Sequence, residues 1–268
     1  MNVAFRKIGQ EGGRRQTVGC FNARRNERQM LEAVTRMKQI FQVHLRTLDV
    51  EAAKDFYRSV LGSEPTTVWP LHEHAIARGA QPHWLGYLDV GDDVEQASAS
   101  FRARGASALG PKWTNPEGLE AAMVRDPGGA LLALAKAPPG YVRATVPELA
   151  FLSLNTTDVT RAMATYGELF GWSFDAPLAL GNRGIFHPFH WEAGGPTVGV
   201  LTDTLGRPGA HAHWLYHFKV PSLDAAVACV RAGGGVALEP LELRTGDRMA
   251  VCDDPQGAAF ALHETLGV

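Results

Sequence analysis

One pattern occurs twice in this 268-residue chain, in the same order and at a constant offset, and it restricts the fold more than anything else in the sequence. Phe41, Val43, Leu45 and Thr47 alternate with Gln42, His44 and Arg46, the period-two signature of a half-buried strand. Asp49 then stands where an N-cap would open a helix with the face Val50, Ala53, Tyr57 and Val60, and Gly62 stands where it would stop. The order returns in a strand holding Leu152, Leu154 and Thr156, followed by Asp158, the face Val159, Ala162, Tyr166 and Leu169, and Gly171.

The duplication continues downstream. His83-Trp84-Leu85 with Tyr87 and Val90 matches His213-Trp214-Leu215 with His217 and Val220, and both read as strands. Each leads into a helix, Val94 to Arg104 or Leu223 to Ala232, that ends at Gly105 or Gly234. Each copy closes with Asp126-Pro127-Gly128-Gly129 or Asp254-Pro255-Gln256-Gly257, the spacing of a type I turn, before a last strand. These aspartates are assigned to the turn and given no chemistry. The predicted organisation is a basic tail at 1–37, a first module at 38–137, a linker at 138–147 carrying Pro138-Pro139-Gly140, and a second module at 148–265.

Composition narrows the function classes. Hydrophobic residues at 45% and charged residues at 20% are enough for a packed core, and a net charge of −2 gives no general attraction to nucleic acid or an anionic membrane. Three cysteines without a Cys-x-x-Cys spacing suit a reducing compartment, and no apolar run reaches a membrane-spanning length, so a cytoplasmic protein is expected. The Arg-rich start leaves several readings open: a transit peptide, an anion-binding arm, a disordered tail or a mis-assigned start before Met37.

A duplicated β-α-β-β-β unit in which Asp opens the first helix, an aromatic-rich strand lies in the middle and Asp-Pro-x-Gly precedes the last strand resembles the vicinal oxygen chelate superfamily. That superfamily contains glyoxalases, bleomycin-resistance proteins and extradiol dioxygenases. The resemblance runs from Gln39 to Glu264 and rests on Leu45-x-Thr47-x-Asp49 with Phe56-Tyr57, and on Leu154-x-Thr156-x-Asp158 with Tyr166 and Leu169-Phe170-Gly171-Trp172. It implies an α+β fold of two tandem βαβββ modules whose mixed, curved sheets surround a cleft. The first module is abbreviated between Gly62 and Pro82, where Leu71 to Ala80 is expected to include helix.

The resemblance also implies where a metal would be held. The first-strand position falls on Gln42 and Phe151, the middle-strand position on Leu85 and Leu215, and the last-strand position on Ala133 and Ala261. Of the six only Gln42 has a donor, and divalent sites normally use several carboxylates or imidazoles. No cofactor is therefore expected, with a displaced divalent site among the other histidines as the alternative. His211 with His213 is one such pair if a third ligand arrives from elsewhere, whereas His187 to His190 reads as a loop or strand edge without carboxylate support.

Alternation places Gln42, His44, Arg46, His83, Leu85, Tyr87, Phe151, Ser153, Asn155, His213, Leu215, His217, Lys219, Ala133, Ala261 and His263 on the cleft side. A small molecule would meet Gln42, His44, Arg46, Tyr87, Phe151, Ser153, Trp191, His213, His217 and His263. Trp172, Trp191 and Trp214 are open to two roles, stacking on a flat ligand or packing the sheet. His44, His83, His213 or His217 would serve as a general base if a carboxylate or backbone carbonyl oriented the ring. The expected function is binding of a small molecule by a monomer or homodimer, with no nucleic acid or membrane partner. The alternative is a lyase, isomerase or dioxygenase-like enzyme.

Overall fold

The computed structural model describes residues 38–63, 65, 67–115, 118–138, 149–205, 210–243 and 246–265. The basic segment 1–37 and nearly all of the expected linker lie outside them. Among the described residues no helix is long and apolar enough to cross a membrane.

The chain is α+β, with one sheet per module. The first sheet holds β1 (Ile40–Thr47), β2 (Val68–Pro70), β3 (His83–Asp89), β4 (Ser107–Ala108), β5 (Trp113–Thr114), β6 (Glu120–Arg125) and β7 (Leu131–Ala135). The second holds β8 (Leu149–Thr156), β9 (Ser173–Phe174), β10 (Leu178–Ala179), β11 (Ile185–His190), β12 (Gly199–Asp203), β13 (His213–Lys219), β14 (Val236–Ala237), β15 (Leu241–Glu242), β16 (Arg248–Asp253) and β17 (Ala259–Glu264). The strand orders are β2-β1-β3-β7-β6-β4 and β10-β11-β12-β8-β13-β17-β16-β14. In each, an antiparallel central pair, β1–β3 or β8–β13, is flanked by parallel pairs. Each module carries the strand–helix opening twice: helices α1 (Val50–Leu61) and α3 (Val94–Ala103) follow β1 and β3, and α4 (Val159–Phe170) and α5 (Leu223–Ala232) follow β8 and β13. The abbreviation of the first module is visible as a three-residue β2 and a short helix α2 (Glu73–Ile76) where the second module builds β9 to β12.

The caps form as the sequence requires. Asp49 accepts from the amide of Ala52 and Asp158 from that of Arg161, while Gly62 and Gly171 end their helices at φ 74° and 75°. A register shift between Ile40 and Gln42 breaks the simple alternation of β1, so Phe41 joins Leu85 and Tyr87 on the sheet's other face.

The helix-side faces of the two modules meet in one core. Trp84 lies 4.7 Å from Phe218, Phe56 6.2 Å from Phe260, and Phe101 5.7 Å from Tyr166. Gly86 has no side chain because Tyr216 of the other module fills the space; a Cβ there would run into the phenol oxygen. The closing turns complete the contact reciprocally. Tyr57 of the first module donates to Asp254 of the second at 3.2 Å, and Tyr166 of the second donates to Asp126 of the first at 2.9 Å. Gln256 adds to one side by accepting from the amides of Leu48 and Asp49 at 3.1 and 2.7 Å. On the other, Thr157 donates its hydroxyl to the Gly128 carbonyl at 3.0 Å. The aspartates read from sequence as turn formers therefore also join the modules.

Tight packing extends into β12. A Cβ at Gly199 would run into the Phe189 ring and the Leu152 carbonyl, both inside the core. Gly199→Ala is expected to destabilise by about 1–3 kcal/mol, read from a denaturation midpoint, because one of the obstructing atoms is backbone. An unchanged midpoint would mean that β12 shifts without cost.

Candidate functional sites on the outer sheet faces

Because the helix-side faces are joined, each sheet has a second, outer face, and the expected site residues divide between the two. Cross-strand partners share a face, so the register assigns them.

In the second module Asn155 pairs with His213, Ser153 with Leu215, Phe151 with His217, and His217 in turn with Ala261. Val200, Thr202 and Val251 extend these rungs. The result is a face with an apolar floor and two hydrogen-bonded polar pairs. Ser153 Oγ lies 2.8 Å from His217 Nε2, and Asn155 Nδ2 lies 3.3 Å from His213 Nε2. The His213 Nδ1 is 2.8 Å from the His211 carbonyl, which requires Nδ1–H as donor and leaves Nε2 to accept. Burial, with the neighbouring His263 adding to it, pushes the His217 imidazole down to about 3. Burial also lowers His213, against the pull of the His211 carbonyl. Both rings are thus neutral at pH 7, each with one N–H donor and one acceptor nitrogen. The Phe151 ring lies 5.5 Å from His217 and 6.1 Å from His263. His263 is buried, with Nε2 at 3.5 Å from an Asp247 carboxylate oxygen.

The same frame carries different chemistry in the first module. Arg46 pairs with His83 and Trp69, His44 with Leu85, and Gln42 with Tyr87, which continues to Ala133. The His44 ring lies 4.4 Å from Trp69 and 4.2 Å from Tyr87. The Arg46 guanidinium stacks 4.4 Å above Trp69 and donates to the Tyr87 hydroxyl at 3.3 Å. Burial, and then Arg46, hold His44 at about 3. His83 repeats the His213 arrangement, with Nδ1 at 2.7 Å from the Gln81 carbonyl, and burial lowers it too. Of the four histidines considered as general bases, His83 and His213 have an orienting backbone carbonyl.

Two expectations change. Trp191 does not line a face: it packs 4.7 Å from Trp172 and 5.5 Å from Phe189 within the main core, because β11 ends at His190 and the chain turns. His190 does have carboxylate support, since Asp175 lies 2.9 Å from its Nε2; burial opposes its charge, yet this contact and nearby backbone carbonyls raise its pKa. Sequence spacing held no signal for that pair, which β9 and β11 bring together.

The family's metal-ligand positions carry the residues read from sequence, and the Phe151, Leu215 and Ala261 side chains offer an ion no donor atom. His211 and His213 stack at 4.5 Å, but among the described residues no group of three or more His, Cys, Asp or Glu comes together. Among the described residues, these positions by themselves do not supply the several carboxylates or imidazoles that a divalent ion normally takes.

No family model matches the sequence. A Mycobacterium tuberculosis protein provisionally named glyoxylase CFP32 is 29% identical over 247 residues, covering 82% of this chain and 92% of its own length. The anthracycline biosynthesis protein DauV of a Streptomyces species is 32% identical over 148 residues, about half of each chain (53% and 52%). Among solved structures, the Mn(II)-bound glyoxalase of Novosphingobium aromaticivorans superposes with a TM-score of 0.57 at 14% identity, covering 87% of this chain and 83% of that one. The 2,3-dioxygenase LapB of a Pseudomonas species gives 0.55 at 14%, covering 86% and 94%. At these identities the superpositions speak to the fold. They also correct one expectation: a Mn(II)-bound protein shares this architecture, so the reading that no cofactor is used does not stand, and a divalent metal has to be tested for. The repeat, the two sheets and the glyoxalase and dioxygenase likenesses agree: the chain has the fold of the glyoxalases and extradiol dioxygenases and resembles the vicinal oxygen chelate superfamily.

Proposed function

We propose that this protein binds a planar small molecule on the outer face of its second module, in the manner of the glyoxalase and bleomycin-resistance proteins. The register-defined face supports the reading: Phe151, Leu215 and Val251 supply apolar surface, and the Ser153–His217 and Asn155–His213 pairs supply a few fixed polar atoms. The polar groups on this face are uncharged and can both donate and accept, so the face suits a neutral ligand such as a phenol. Relatives named for anthracycline biosynthesis make a fused-ring phenol a reasonable probe.

A dihydroxyanthraquinone at a hundred times its dissociation constant is expected to stabilise the protein by about 2.7 kcal/mol, a rise of roughly 5–10 °C in melting temperature. Phe151→Ala and His217→Ala should each weaken binding about tenfold, through lost stacking and a lost polar partner. An unshifted wild-type melt, or variants that bind as well as wild type, would remove the reading.

A second reading, an enzyme of lyase or isomerase type, is favoured by the carbonyl-oriented His213 and by the Mn(II)-bound glyoxalase of the same fold. Metal analysis of protein purified without an affinity tag, with turnover assays before and after chelation, separates the two. Turnover, or stoichiometric tightly held metal, selects the enzyme.

A further inference from the structure

The duplicated frame allows the two outer faces to be compared position by position, and one difference dominates. Where the second module has Asn155, the first has Arg46; where the second has Ser153, the first has His44. Arg46 is partly buried on a sheet face, and among the described residues no carboxylate stands within ion-pair distance of it. Its partners among the described residues are uncharged: the Tyr87 hydroxyl at 3.3 Å and the Trp69 ring at 4.4 Å. Its Nε is buried with no hydrogen-bond partner among the described residues, and so is Nε2 of the adjacent His83. Asp89 lies on the same face, but six residues along β3 from His83, roughly 20 Å away, and it already accepts from the amides of Gly91 and Ala137.

A desolvated guanidinium without a counter-charge is costly, and its planar fork matches a carboxylate. Here the fork is immobilised on the half-buried indole of Trp69, with the buried His44 and Tyr87 rings behind it. We propose that the outer face of the first module is a second ligand site, selective for a planar carboxylate such as an aromatic acid, with Arg46 as the anchor of the carboxylate and the half-buried Trp69 as its aromatic wall. The proposal does not depend on the second module's face. The two copies have diverged, one toward an anion and the other toward an uncharged ligand.

Isothermal titration of the full chain with benzoate, and with benzamide as its uncharged counterpart, tests this. Benzoate is expected to bind saturably, at least tenfold tighter than benzamide, and to weaken as sodium chloride is raised. Arg46→Gln should reduce benzoate affinity at least tenfold and abolish the preference over benzamide. Arg46→Lys, which keeps the charge and guards against a folding artefact, should retain part of it. His217→Ala, on the other face, should leave the benzoate titration unchanged, so failure of either site is seen separately. No benzoate uptake, equal affinity for the two probes, or wild-type benzoate binding by Arg46→Gln would overturn the proposal.

Discussion

Asp126→Ala is expected to lower the free energy of unfolding by about 3–5 kcal/mol and the melting temperature by roughly 10 °C. The Asp126 side chain is buried and fully engaged. Oδ1 accepts from the amides of Gly128 and Ala130 at 2.9 and 2.8 Å, and Oδ2 from the Tyr166 hydroxyl at 2.9 Å. Alanine leaves two buried amides and a buried phenol without partners, each at about 1–3 kcal/mol, partly offset by removing a desolvated carboxylate. Tyr166→Phe removes one of those bonds and should cost about 1 kcal/mol, and a double-mutant cycle should show the two losses to be coupled. A loss below about 1 kcal/mol for Asp126→Ala in guanidinium denaturation would refute the cross-module role.

The same carboxyl gives a signed pH dependence. Burial raises the pKa of Asp126 and Asp254 above the usual carboxylate range, against the hydrogen bonds that lower it. A raised folded-state value means that the folded protein holds these protons more tightly than the unfolded chain. Their contribution to stability is therefore full below the unfolded carboxylate pKa and is lost as pH rises through the folded one. Asp126→Asn, which cannot titrate, should flatten that part of the stability profile.

Trp84→Ala is expected to cost about 3–5 kcal/mol. The indole fills the seam between modules, 4.7 Å from Phe218 and 5.2 Å from Tyr57, and its Nε1 donates to the Tyr57 hydroxyl at 2.9 Å. That hydroxyl donates in turn to Asp254, so the substitution opens a cavity and loosens the second clasp together. Equilibrium denaturation reads the loss. Trp84→Phe should recover most of the packing but not the hydrogen bond, and wild-type stability in Trp84→Phe would deny the indole N–H its role.

The strands, caps and turns were legible because they follow from local chemistry: alternation in β1 and β8, an aspartate ahead of each first helix, a glycine in left-handed conformation behind it. The division of the site over two outer faces was not. Which side of a sheet is covered depends on what packs there, and residues such as Tyr57 and Asp254, almost two hundred positions apart, carry no mark of their partnership. Trp191 illustrates the same limit, since alternation does not survive the end of a strand. The orientation of His83 and His213 was hidden for a different reason: the acceptors are backbone carbonyls, which every residue possesses.

The reciprocal Tyr–Asp contact has a wider meaning. A pair of contacts in which the same two positions exchange roles is what two identical subunits make across a two-fold axis. In its contacts, this chain is a fused homodimer. Fusion keeps that symmetry in the buried seam while freeing the exposed faces from it, since a change in one copy no longer appears in the other. Arginine at position 46 opposite asparagine at position 155 is a difference that no homodimer of one gene product can have.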